Sequence, residues 1–143
     1  MNNWQLYRNY TSSIVNYLPC QLSVINYQLY LCSLMAEART IAFHTLGCKL
    51  NFSETASLSR MVQDAGFEKK AFDGNADVYV INTCSVTENA DKECRYLVRQ
   101  IQRKSPESFV VITGCYAQLK PEEIAAIPGV DLVLGAAEKF NLV

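Results

Sequence analysis

Beyond the first third of the chain, apolar residues gather in short unbroken runs separated by longer stretches of helical spacing. The runs are Ile41 to Phe43, Val78 to Ile81 and Phe109 to Ile112, and a last strand is expected over Val130 to Leu134, where Asp131 breaks the apolar run. Short β-branched and aromatic runs without polar alternation suit strands buried on both faces. A further short strand is expected within Phe67 to Phe72, followed by a turn at Asp73-Gly74-Asn75. Between the runs the period changes. Over Asn51 to Ala65, one side of a helix carries Thr55, Leu58, Met61, Val62 and Ala65, and the other carries Phe52, Ala56, Ser59 or Arg60, and Gln63. Asn51 and Glu54 offer this helix a cap and box, and Gly66 ends it. A second helix is predicted from the Ser85–Glu88 box to about Lys104, with Ala90, Cys94, Leu97, Val98 and Ile101 on its buried stripe and Ser105-Pro106 as its stop. Pro121, Glu122 and Glu123 open a third, ending near Ile127 ahead of a Pro128-Gly129 turn. From Gly135 onward the sequence reads as a loop or the start of a helix.

Strands alternating with helices predict an α/β domain, three-layered, with a mostly parallel sheet built from flavodoxin-like βα repeats. Three of the runs lead into a cysteine followed by a helix-start signal: Cys48, Cys84 and Cys115. Strand-helix-strand connections make the strands parallel, so all three thiols are expected at the carboxyl edge of one sheet. Ligands bind along that edge, where the positive ends of helix dipoles favour a thiolate. Three strand ends coincide in this way, which the preference of tight turns for small residues does not explain by itself. Cys94 falls on a packed helix stripe and reads as an inert core thiol. His44, four residues before Cys48, belongs down the first strand and reads as a packed histidine, not a fourth ligand.

Composition narrows the reading. At 143 residues, half of them apolar, the chain is long enough for one real core. A net charge of -1 gives no general mandate for binding nucleic acid or membrane. Six cysteines without the dense spacing of a secreted disulfide scaffold fit a reducing, cytoplasmic setting and metal-binding thiols. Residues 9–36 carry no charge, yet Asn16, Pro19, Gln21, Asn26 and Gln28 interrupt every apolar run, so a membrane span of about 20 apolar residues is not expected. A signal peptide fits no better, with only Arg8 as an amino-terminal charge. Residues 1–38 are therefore expected to be a non-domain extension, disordered or read from upstream of a true start at Met35, and residues 39–143 the domain. Cys20 and Cys32 are then incidental. Lys92, Arg95, Arg99 and Arg103 line one face of the second helix beside Lys104, but Glu88, Asp91 and Glu93 dilute the stripe, and it reads as a solvated face before an RNA-binding one.

Structural zinc prefers four protein ligands, usually in paired Cys-x2-Cys knuckles, and the sequence has no such pair. An iron–sulfur cluster takes thiolates without knuckles, and three of them leave one iron of a four-iron cluster open. Spacing alone leaves both readings standing, a structural zinc module and a cluster domain. A nucleotide-binding domain with incidental cysteines is the weaker alternative, since no strand is followed by Gly-x-Gly-x-x-Gly.

Three ordered segments carry a resemblance. They are Thr45-Leu46-Gly47-Cys48-Lys49-Leu50-Asn51, Asn82-Thr83-Cys84-Ser85-Val86-Thr87, and Thr113-Gly114-Cys115-Tyr116-Ala117-Gln118 with Pro121-Glu122 close behind. Together they resemble the amino-terminal domain of the radical S-adenosylmethionine methylthiotransferases, from Thr40 to about Val143. The resemblance implies an auxiliary [4Fe-4S] cluster held by Cys48, Cys84 and Cys115, whose open iron presents the sulfur that is inserted. Leu-Gly-Cys-Lys-Leu-Asn is most similar to the branch that methylthiolates N6-threonylcarbamoyladenosine beside the tRNA anticodon. The isopentenyladenosine branch tends to Phe-Gly-Cys-Gln-Met-Asn, and the ribosomal-protein branch to Pro-Lys-Asn after the cysteine. The implied partners are tRNA, through the full-length enzyme, and a sulfur donor. Members continue into a radical barrel whose Cys-x3-Cys-x2-Cys binds a second [4Fe-4S] cluster and S-adenosylmethionine, then into a small RNA-binding domain. This sequence contains no Cys-x3-Cys-x2-Cys. The expectation is a truncated chain or fragment, inactive alone, that supplies the sulfur-donor site.

Overall fold

The structure, a computed structural model, describes residues 40–84, 88–136 and 139–142. The expected extension at residues 1–38, the start at Met35, Cys20, Cys32 and the capping residue Ser85 lie outside them. Among the described residues, five strands form one sheet: β1 (Thr40–Thr45), β2 (Glu68–Lys70), β3 (Val78–Thr83), β4 (Phe109–Gly114) and β5 (Leu132–Leu134). Their order across the sheet is β2-β1-β3-β4-β5, and every pair is parallel. The helices are α1 (Lys49–Asp64), α2 (Glu88–Lys104), α3 (Cys115–Leu119) and α4 (Pro121–Ala125), followed by a 3-10 turn at Lys139–Leu142. The architecture is thus the α/β parallel sheet that the alternating runs predict.

The burial of each strand explains its place. Every residue of β3 and β4 is buried, as the unbroken apolar runs require of central strands covered on both faces. The short β2 and β5 form the edges. Ala42, Tyr79, Ile81, Val110 and Ile112 pack in one cluster with Cys94, Leu97, Val98 and Ile101 of α2 and with Ile124 and Ile127. Alternation then turns the intervening buried residues Ile41, Val80 and Val111 to the opposite face. Right-handed crossovers send the β1-α1-β2 connection one way and β3-α2-β4 the other, so α1 covers that second face with Thr55, Leu58, Ser59 and Val62. The strand order reverses direction between β1 and β3, and in open parallel sheets the crevice at such a switch point is where ligands bind.

The amino edge of the sheet is closed by polar clamps. The Asp77 carboxylate accepts hydrogen bonds from the Thr40 backbone N–H (2.9 Å) and hydroxyl (2.7 Å). The Tyr79 hydroxyl donates to the Gly74 carbonyl at 2.6 Å and accepts from the Ala76 N–H at 3.1 Å. No helix among the described residues is long and apolar enough to cross a membrane.

Several local expectations need correction. The first helix begins at Lys49, with Cys48 as its cap residue, so Asn51 is not a cap. Asn51 is buried inside the first turn, and Glu54 pairs with the buried Lys139 instead of closing a capping box. On α1, Ser59 is buried and Met61 exposed, the reverse of a simple apolar stripe. The second strand is only Glu68–Lys70, and the last starts at Leu132. Beyond Gly114 the chain turns into helix at once, so α3 precedes the helix expected at Pro121.

Candidate cysteine site

The carboxyl edge is built by continuing three strands past their last ladder bonds. Thr45 of β1 lies opposite Asn82 of β3, and Asn82 opposite Thr113 of β4. Cys48, Cys84 and Cys115 then follow these neighbouring residues by three, two and two positions. The Leu46 N–H donates to the Asn82 carbonyl at 2.8 Å, which prolongs the β1–β3 pairing toward Cys48. The three cysteines differ in access: Cys48 is exposed, Cys84 buried and Cys115 half-buried.

Glycine is required at two turns. Gly47 has φ +109, and a β-carbon there would sit 2.2 Å from the Cys84 Cβ and 2.9 Å from its Sγ. The turn carrying Cys48 therefore presses on Cys84 with no side chain between. Gly114 has φ +106, and its β-carbon would meet the Thr83 carbonyl oxygen at 2.2 Å and the Asn82 Oδ1 at 2.6 Å. Both positions combine a left-handed backbone with a close approach, and either alone favours glycine.

Beneath the cysteines lies a buried polar net. The Asn51 side-chain amide donates to the Leu46 carbonyl (3.0 Å) and the Thr83 carbonyl (3.2 Å). The Asn82 amide donates to the Asn51 carbonyl (3.1 Å) and the Thr55 hydroxyl (3.0 Å). Thr83 donates its hydroxyl to the Thr113 carbonyl at 2.7 Å, and Thr45 bonds Thr55 at 2.9 Å. The Asn82 Oδ1 and Thr113 Oγ1 have no partner among the described residues. Asn51 and Asn82 escaped the sequence reading as site residues. The available signal was an apolar strand that ends in Asn82-Thr83 instead of continuing apolar.

Cys48 and Cys94 are opposites in reactivity. The Cys48 side chain makes no capping hydrogen bond. Even so, the backbone N–H groups of Asn51 and Leu50 at the start of α1, with a smaller contribution from the neighbouring Cys84, hold its thiol below the ordinary value. Burial pushes the Cys94 thiol up to about 12. At pH 8 only about one Cys94 in ten thousand is then a thiolate, the form that reacts. Iodoacetamide is expected to label Cys48 in the folded chain at pH 7 to 8 and to leave Cys94 unlabelled until denaturant is added. Because the Cys48 value is lowered, its labelling should persist to lower pH than that of a free cysteine. Peptide mapping that finds Cys94 labelled first would contradict this assignment.

His44 is half-buried, with its ring 4.7 Å from that of Phe72, and burial holds its pKa below the ordinary value against the opposing Glu93 carboxylate. It packs as a core-edge residue. On α2, Arg95 is half-buried and engaged by Asp91 at 2.9 Å and Glu123 at 3.8 Å, whereas Lys92, Arg99, Arg103 and Lys104 are exposed, Lys104 donating to the Gly74 carbonyl. Among the described residues, no three His, Cys, Asp or Glu side chains stand in a group that could hold a metal ion. The topology thus brings the three cysteine-bearing turns to one edge, and Cys84 directly against the Cys48 turn.

Residues 40–135 match the family described as Uncharacterized protein family UPF0004. The threonylcarbamoyladenosine tRNA methylthiotransferase MtaB of Bacillus subtilis is 50% identical over 103 residues, which cover 72% of this chain and 23% of that protein. Its namesake from Aquifex aeolicus is 45% identical over 102 residues, 71% of this chain and 25% of that protein. A tRNA-2-methylthio-N(6)-dimethylallyladenosine synthase of Chlorobium phaeobacteroides is 33% identical over 101 residues, 68% of this chain and 23% of that protein. The chain spans about a quarter of the length of these relatives. Among solved structures, a pilus assembly-related protein of Burkholderia pseudomallei superposes with a TM-score of 0.51 at 17% identity, covering 73% of this chain and 83% of that one. That likeness concerns the fold alone.

Proposed function

We propose, since this chain belongs to the uncharacterized protein family UPF0004, that its domain holds the auxiliary sulfur-donor cluster of a tRNA methylthiotransferase. The substrate we assign to the longer enzyme is N6-threonylcarbamoyladenosine beside the tRNA anticodon, in the cytoplasm. Identities of 50% and 45% to two threonylcarbamoyladenosine enzymes, against 33% to the dimethylallyladenosine synthase, favour that branch. The observation that carries the reading is the placement of Cys48, Cys84 and Cys115 just past the ends of the adjacent parallel strands β1, β3 and β4.

The residue types present suit an iron–sulfur group, although the three thiols do not stand in one metal-holding group among the described residues. Three thiols without a carboxylate or paired knuckle are the donor set such clusters take. Gly47 and Gly114, having no β-carbon, let their turns press directly against Cys84 and against Thr83 and Asn82. When bound, a four-iron cluster held by three thiolates supplies one iron free of protein ligands, to which an external sulfur attaches. Everything else falls to the chain. Cys48, at the start of α1, offers a thiolate stabilised by the helix N–H groups and reachable from solvent. Cys84 supplies the inner anchor and Cys115 the third, each fixed by the strand that precedes it.

The test is ligand exchange at the open position. In the anaerobically reconstituted, reduced protein, methanethiolate is expected to shift the electron paramagnetic resonance spectrum. A spectrum indifferent to both methanethiolate and sulfide would mean a closed, structural site and would overturn the sulfur-donor reading.

A further inference from the structure

Building on the cluster-holding role proposed above, we propose that Asn51 is the positioning residue of the site, a single buried amide that locks the cysteine-bearing turns into one frame. One Asn51 nitrogen donates to two carbonyls from different strand ends. These are Leu46, two residues before Cys48, and Thr83, immediately before Cys84. Its own backbone carbonyl accepts from Asn82, so the first turn of α1 is tied down to the end of β3. Thr83 carries the connection on to the Thr113 carbonyl, two residues before Cys115. All three turns are therefore joined within two residues of their cysteines.

The chemistry requires asparagine. Two acceptors from separate strands need two N–H donors on one short, planar group, and only the carboxamide of Asn supplies them at this reach. Aspartate has the same shape and offers acceptors only, facing two carbonyl oxygens. Glutamine is one methylene too long for a side chain only 1% exposed. Asn82 Oδ1 and Thr113 Oγ1, without a partner among the described residues, place further buried polar atoms at the same edge, where an ordinary apolar core would have served stability better. Groups that orient metal ligands from behind typically change metal retention roughly ten-fold to a hundred-fold when removed.

The experiment uses the full chain with Cys20 and Cys32 replaced by serine, and compares Asn51→Asp and Asn51→Ala with Tyr79→Phe. The Tyr79 variant loses a buried hydrogen bond at the opposite edge of the same strand and serves as the control for stability alone. In the metal-free protein, dibromobimane is expected to cross-link Cys48 to Cys84 roughly ten-fold more slowly in both Asn51 variants, because misaligned partners react slowly. After reconstitution with ferrous iron and sulfide, both should lose iron to a chelator roughly ten-fold to a hundred-fold faster and show an altered resonance spectrum. Tyr79→Phe should match the parent in all three. Unchanged cross-linking and iron loss in the Asn51 variants would overturn the proposal. So would equal effects in Tyr79→Phe, or melting of both Asn51 variants below assay temperature, since Asn51 would then be a folding residue. If the parent binds no iron while the cross-linking difference persists, the cluster-holding role fails and the positioning role stands.

Discussion

Gly114→Ala is expected to destabilise the domain by about 2–6 kcal/mol and to abolish iron binding with it. Two costs combine. A non-glycine residue held in a glycine-only backbone region costs about 1–3 kcal/mol, and overpacking a buried site a further 1–3 kcal/mol. Here the atom struck is the Thr83 carbonyl oxygen, backbone of a fully buried strand, at 2.2 Å. It has nowhere to move. The comparison is Gly66→Ala, since Gly66 also has a positive φ (+98) but nothing within 4 Å of the added carbon. That variant should lose only about 1–2 kcal/mol and keep its iron. Urea unfolding of both, followed by circular dichroism, separates strain from collision. Equal losses in the two would show that the close approach of β3 and β4 at the last pair of their ladder, Thr83 and Gly114, is not as described.

Cysteine substitutions should separate stability from binding. Cys48→Ala removes an exposed side chain, so its unfolding free energy should stay within about 0.5 kcal/mol of the parent, yet it should lose most of its iron. Cys84→Ala and Cys115→Ala should lose iron equally. Cys94→Ala is the converse: it truncates a fully buried residue of the α2 core cluster and should cost about 1 kcal/mol while leaving iron content unchanged. Cys20→Ala and Cys32→Ala should change neither. An iron-free Cys94→Ala with its fold intact, or a dispensable member of the trio, would refute the ligand assignment.

The sheet was legible because its central strands are buried on both faces, which forces unbroken apolar runs such as Val78 to Ile81 and Phe109 to Ile112. The cysteine-bearing turns were legible as turns that follow strands, because each comes shortly after such a run, and their joint role as ligands is the proposal made above. Residues with two possible uses were misread. Asn51 and Glu54 satisfy the spacing of a capping box, but burial at the β1–β3 junction and pairing with Lys139 claimed those side chains instead. Periodicity records neither competitor, because Thr83 and Lys139 are distant in sequence. The five-residue α3 is too short to show a helical period, and its abrupt start depends on the left-handed Gly114. Met61 and Ser59 exchanged roles because α1 presses small polar side chains onto the β1–β3 crevice and leaves Met61 outside.

Mössbauer spectroscopy of the chain reconstituted anaerobically with iron-57 and sulfide tests the central claim most directly. About four irons per chain are expected in a single cluster of the cubane type, with one iron site distinguishable from the other three and responsive to added methanethiolate. A single mononuclear iron site per chain, or a four-iron cluster that survives intact when Cys48, Cys84 and Cys115 are all replaced by alanine, would contradict that assignment.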